Sequence, residues 1–213
     1  MAARYPVPAR SIRVGVRRGA LGTLTGMALM VTDTLRVVAA VCLVPAVVLD
    51  GAIGGALMFL VLGGCMVPRA LGSSPTLDGL YCTTLLVAAW AALLDWYVAV
   101  SWLDLLVHAL ATGLVGVMAW DLLHRLGVLA PGTGPGAVRV AALVGITSLG
   151  ALLAVLWEFG EWFGHTVLDP AIQVGYDDTV TDLAAGLVGA FLAGVAARGL
   201  VSAEVPDQVE ARR

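Results

Sequence analysis

The sequence predicts an all-α, polytopic transmembrane helix bundle of about six spans with both termini in the cytoplasm. Three observations carry that expectation. The 213 residues are 60% hydrophobic and 13% charged, and the mean hydropathy is +0.94, as expected of a chain that lies mostly in lipid. The apolar residues come in long runs, separated by short polar or glycine-rich stretches. All twelve basic residues are arginines, and in a six-span arrangement they fall at ends or loops on one side, which the positive-inside rule assigns to the cytoplasm.

Residues 1–33 form an arginine-rich cytoplasmic segment, with five arginines through Arg18 suited to anionic headgroups. The stretch Gly19 to Thr32 has two readings. It lies flat at the interface as an amphipathic helix, or it extends the first span, in which case Asp33 and Arg36 pair at helical spacing. No Ala-x-Ala-like cleavage site follows Arg18, so the segment is expected to stay on the chain. Residues 34–199 are the membrane domain, and residues 200–213 a short polar tail.

The six spans run from about Thr34 to Leu49, Gly51 to Val67, Gly79 to Val98, Leu103 to Leu123, Val138 to Thr166 and Thr179 to Gly199. The first two are short for a core of roughly 30 Å, which takes about 20 helical residues. Pro131 to Gly136, reading Pro-Gly-Thr-Gly-Pro-Gly, follows no strand and holds no lysine, so it is a cytoplasmic linker and not a phosphate cradle. His124 and Asp121 lie beside Arg125 at headgroup level. Trp96, Trp102, Trp157 and Trp162 mark the outer boundary and Trp120 the inner one, as an aromatic belt does. Cys42, Cys65 and Cys82 lie in apolar spans without Cys-x-x-Cys spacing and read as buried, inert thiols. The net charge of −3 offers no basic surface for nucleic acid.

Nine of the fifteen acids lie opposite the arginines. Asp50, Asp95, Asp104, Glu158, Glu161, Asp169, Asp177, Asp178 and Asp182 all fall on the outer side of this arrangement. Asp104 and His108 are four residues apart on the fourth span, and Glu158, Glu161 and His165 follow steps of three and four on the fifth. Asp178 and Asp182 are four apart where the sixth begins. Such spacings set each group on one helix face.

Those faces continue inward as small or mildly polar residues: Thr112 and Gly116, then Thr147, Ala151 and Ala154, then Gly186, Gly189 and Ala193. Small residues let helices approach closely, so the charged faces should converge. Five carboxylates and two imidazoles without an arginine between them need a divalent cation, shared protons or a water-filled vestibule, since each unpaired ion in low dielectric costs several kcal/mol. Imidazole with carboxylate suits Zn, Mn or Fe. The candidate metal ligands are Asp104, His108, Glu158, Glu161, His165, Asp178 and Asp182.

From about Leu77 to Gly194 the chain resembles the YjdF-like family of bacterial inner-membrane proteins, whose biochemical role is uncharacterised. The carriers are Asp104-Leu-Leu-Val-His108, Glu158-Phe-Gly-Glu161-Trp162 and the stretch from Gln173 to Leu183. They are similar to the family's Asp-x-x-x-His, Glu-x-x-Glu-Trp and Trp-Asp-x-x-x-Asp-Met strings, with Asp177 in place of the Trp and Leu183 in place of the Met. A more distant likeness is to VanZ-like proteins, although their Glu-x-x-Gln and the Arg upstream of the late Asp are missing. The resemblance implies a multi-pass protein of the bacterial cytoplasmic membrane. Three functions stay open: a metal-dependent hydrolase or transferase acting at the outer face on a lipid-linked or envelope substrate, an ion- or proton-coupled transporter, and a non-catalytic membrane scaffold.

Overall fold

The computed structural model describes residues 18–129, 134–172 and 174–203. The terminal arginines, the first half of the Pro131 to Gly136 linker, Gln173 and the polar tail beyond residue 203 lie outside them. Among the described residues the secondary structure is entirely helical. Five segments are long and apolar enough to cross a membrane: Thr32–Leu71, Pro75–Leu93, Ser101–Arg125, Gly136–Leu168 and Tyr176–Ala197.

The first of these belongs to α1 (Arg18–Leu71), which leaves helical geometry at Asp50 (φ −137°, ψ 27°) and Gly51 (φ 55°, ψ −134°). That break is a reversal. Arg69 Nη1 lies 2.9 Å and 3.0 Å from the two carboxylate oxygens of Asp33, whereas residues 36 apart on one straight helix would be about 54 Å apart. The two limbs, 18–49 and 52–71, therefore run antiparallel, and six passes are built from five segments. The first limb is an unbroken helix from Arg18, so the stretch from Gly19 to Thr32 continues it, and Asp33 and Arg36 pair within it at 3.3 Å.

The second limb ends by a glycine mechanism. Gly72 takes a positive φ of 62°, and Ser73 N donates back to Pro68 O at 2.9 Å, satisfying a carbonyl the helix end would leave open. Ser74 then caps α2 (Pro75–Leu93), its hydroxyl accepting from Leu77 N at 3.3 Å, with Pro75 in the first turn. Ala39, Ala46, Met58, Val61 and Cys65 of α1 pack on Cys82, Leu86 and Ala89 of α2. The expected third span reached Val98, but α2 stops at Leu93, because Asp95 turns left-handed (φ 56°) and starts the single turn α3 (Trp96–Ala99).

The remaining helices are α4 (Ser101–Arg125), α5 (Pro135–Phe163) and α6 (Tyr176–Ala203), with α5 continuing as a π-helical turn, Gly164–Leu168. They form a second layer on one another, joined to the first mainly through α2 against α4. Each presents a ridge of residues four apart: Asp104, His108, Thr112 and Gly116 on α4, Ala142, Ile146, Gly150, Ala154 and Glu158 on α5, and Asp182, Gly186, Ala190 and Gly194 on α6. Such ridges interdigitate when their side chains are small. Here backbones touch. A Cβ at Gly113 would meet Gly189 O at 2.8 Å, one at Gly116 would meet Ile146 O at 2.8 Å, and one at Gly189 would overlap the backbone of Ala109. Of the small residues expected to converge, Gly186 packs on Thr112 and Gly189 on α4.

The helices alternate in direction. Arg36, Arg69 and Arg125 share one end, where Arg125 Nη1 also donates to Leu71 O at 2.7 Å. The acids of the three ridges share the other.

Candidate metal centre

The α4, α5 and α6 ridges each end in an ionisable side chain at the same level, and His108 is where they meet. Its Nε2 lies 3.5 Å from Asp104 Oδ1 on its own helix and 3.8 Å from Asp182 Oδ2 on α6. Its Nδ1 lies 4.0 Å from Glu158 Oε1 on α5. One candidate ligand atom from each of Asp104, His108 and Asp182 lies within 4.8 Å of the others, and the same holds for His108, Glu158 and Glu161. These separations exceed the usual hydrogen-bond length. They match ligand atoms around one ion, since bonds of about 2.0–2.2 Å set neighbouring donors roughly 3–4 Å apart.

Burial sharpens the point. Glu158 is 8% and Asp182 2% exposed, and Glu158 Oε1 and Asp182 Oδ1 are buried without a hydrogen-bond partner. Among the described residues the ion pairs to arginine all lie at the opposite end of the bundle. Buried carboxylate oxygens without donors are expensive. A cation between them removes that cost, and oxygen with imidazole nitrogen is a donor set that divalent transition metals accept.

Five of the seven expected ligands are thus drawn together: Asp104, His108, Glu158, Glu161 and Asp182. His165 and Asp178 belong to neither ligand triad, although Asp178 lies near enough for its charge to act on Asp104, Glu158 and Asp182. The π turn, closed by Asp169 N donating to Gly164 O at 2.9 Å, leaves His165 facing the α5–α6 loop, where its Nδ1 sits 2.6 Å from Ile172 O. His165 and Asp178 line a shallow, open depression with Pro170, Ala171, Ile172, Val174 and Gly175. In that loop Asp169 accepts from Ala171 N at 2.8 Å, the turn that Asp-Pro suggests.

The opposite end holds a polar network that sequence reasoning did not assemble. Arg36 Nη2 donates to Asp78 Oδ1 at 2.7 Å, and both residues are buried. Cys82 Sγ lies 3.3 Å from the same oxygen and 3.7 Å from Cys65 O. A signal was present, because an arginine inside an apolar run demands an acid and Asp78 is the acid of the neighbouring span. Cys65 and Cys82 are fully buried and Cys42 half-buried, all as free thiols. Trp96, Trp102, Trp157 and Trp162 are all exposed at the end that holds the His108 cluster, as an interfacial belt requires.

No curated protein and no solved structure matches the chain. Residues 25–202 match the family described as Predicted membrane protein (DUF2238), a span that takes in nearly all of both hairpin limbs and all three ridges. The chain belongs to that family of multi-spanning membrane proteins.

Proposed function

We propose that the protein is a divalent-metal-dependent hydrolase or transferase of the bacterial cytoplasmic membrane, acting at the outer face on a lipid-linked or envelope substrate. One observation carries this reading. His108 is ringed by carboxylates from three helices at ligand-to-ligand spacing, and two of their buried oxygens lack any donor. The outer-face assignment rests on the arginines gathered at the opposite end. The exposed Trp102, Trp157 and Trp162 beside the centre support headgroup depth, where a lipid-linked substrate carries its polar part.

In this role a bound ion would supply an activated water and polarise a substrate oxygen. Asp104, His108 and Asp182 would hold the ion from two helices. A carboxylate of the cluster left off the ion would accept the proton of the attacking water. The transporter reading is less well supported, because beneath the cluster the Gly113–Gly189 and Gly116–Gly150 approaches bring backbone against backbone and leave no polar relay toward the arginine end among the described residues.

Elemental analysis of the protein purified in detergent tests the metal. Stoichiometric Zn, Mn or Fe in the wild type, lost in His108→Ala, supports the reading, and a metal-free wild type that binds none on titration overturns it. Turnover of lipid-linked phosphoesters and glycosides in proteoliposomes, with and without the ion, then separates an enzyme from a metal-stabilised scaffold.

A further inference from the structure

We propose that the centre holds two divalent cations, one on each side of the His108 ring, with the ring bridging them as imidazolate. This rests on the metal reading above and goes beyond it in number and connectivity. The two ligand triads, Asp104–His108–Asp182 and His108–Glu158–Glu161, share one residue only. They use opposite edges of its ring: Nε2 faces Asp104 and Asp182, and Nδ1 faces Glu158.

Each triad also contains one buried carboxylate with an unpartnered oxygen, Asp182 Oδ1 in the first and Glu158 Oε1 in the second. A single ion would satisfy one of these and leave the other stranded on the far side of the imidazole. Charge points the same way. The four carboxylates of the two triads carry four negative charges when ionised, so one divalent ion beside a neutral imidazole leaves two uncompensated, whereas two ions bridged by the imidazolate leave one, in a setting where residual charge is expensive. Both ring nitrogens can ligate at once only after the remaining N–H bond breaks. Entry of the second ion therefore forms a metal–nitrogen bond at Nδ1 and delivers that proton to the buffer.

The test uses the full-length protein in detergent, stripped with chelator and reloaded with Zn, followed by elemental analysis. Wild type should hold two ions per chain, and Asp182→Asn and Glu158→Gln should each hold one, through the opposite triad. Reloading wild type with Cu(II) gives a second readout that needs no variant, since a bridging imidazolate couples the two spins and removes the signal of an isolated Cu(II). One ion in wild type, abolished by either variant, overturns the two-ion proposal and leaves the metal reading standing. Two uncoupled Cu(II) ions overturn the bridge. No bound ion in any form overturns the metal reading itself.

Discussion

Asp33 and Arg69 meet at 2.9 Å although 36 residues separate them. The contact identifies the first 54-residue helix as a hairpin and makes its turn a point of weakness. Gly51 has φ 55° and ψ −134°, and a Cβ added there would find nothing within 4 Å, so a side chain meets no neighbour but strains the backbone. Gly51→Val should lower stability in detergent by about 1–3 kcal/mol. Gly63→Ala, at an exposed helical position with open space, should be neutral or stabilising by about 0.5–1 kcal/mol. Thermal unfolding followed by helix signal compares the two, and equal tolerance would contradict the turn.

The two arginine pairs at the other end of that hairpin should differ sharply in worth. Arg36 and Asp78 are buried, so Arg36→Ala leaves a carboxylate in the interior without its cation and should cost about 3–5 kcal/mol. Arg69 and Asp33 are about half exposed, and Arg69→Ala should cost at most about 1 kcal/mol. Unfolding titrations of both variants measure the difference.

Close approach of α4 and α6 makes the sixth helix intolerant of added volume. Gly189→Ala drives a methyl into the Ala109 backbone, and Gly186→Leu meets Thr112 Oγ1, which a Cβ alone would reach at 2.9 Å. Each should lose about 1–3 kcal/mol by overpacking. Gly160→Ala, where a Cβ meets nothing within 4 Å, serves as control, and unaltered melting of the Gly189 variant would argue against the interface.

His165→Ala separates the loop histidine from the cluster. It should leave metal content at the wild-type level, because its ring is engaged with Ile172 O and lies outside both triads. His108→Ala should empty the centre. Metal analysis of the two purified variants decides, and loss of the ion from the His165 variant would enlarge the ligand set.

Orientation is open to direct labelling. Single cysteines at Ala171 and at Ser74, both exposed and at opposite ends of the bundle, should react from outside and inside intact cells respectively, in a background lacking the native thiols. The reverse pattern would move the candidate metal centre to the cytoplasmic side.

The helices of the second layer were legible because each combines an uninterrupted apolar run with polar residues spaced four apart, a period only one helix face can satisfy. Asp104, His108, Glu158, Glu161 and Asp182 follow from spacings of three and four, which also pick out Asp178, a residue of neither triad. The same spacings misplace His165, because counting steps of three and four presumes α-geometry and the π turn at Gly164–Leu168 breaks it. The end of the third span at Leu93 was hidden for a similar reason. Hydropathy runs on through Trp96 to Val98, and the left-handed backbone of Asp95 that ends the helix leaves no mark in composition. Arg36 and Asp78 lie 42 residues apart, beyond any local periodicity, so their pairing depends on which hairpin packs where.

The turn at Asp50–Gly51 also bears on how the chain enters lipid during synthesis. Asp33 and Arg69 neutralise each other within the first hairpin, so the two limbs can partition together as one unit, with Arg36 waiting only for Asp78 of the next helix to emerge. The acids of α4, α5 and α6 have no such arginine among the described residues, only His108, and the cluster that would hold a cation is complete only when Asp182 arrives on the last helix. The opening half is thereby self-sufficient in charge, whereas the closing half cannot assemble its cation site until the final segment leaves the ribosome.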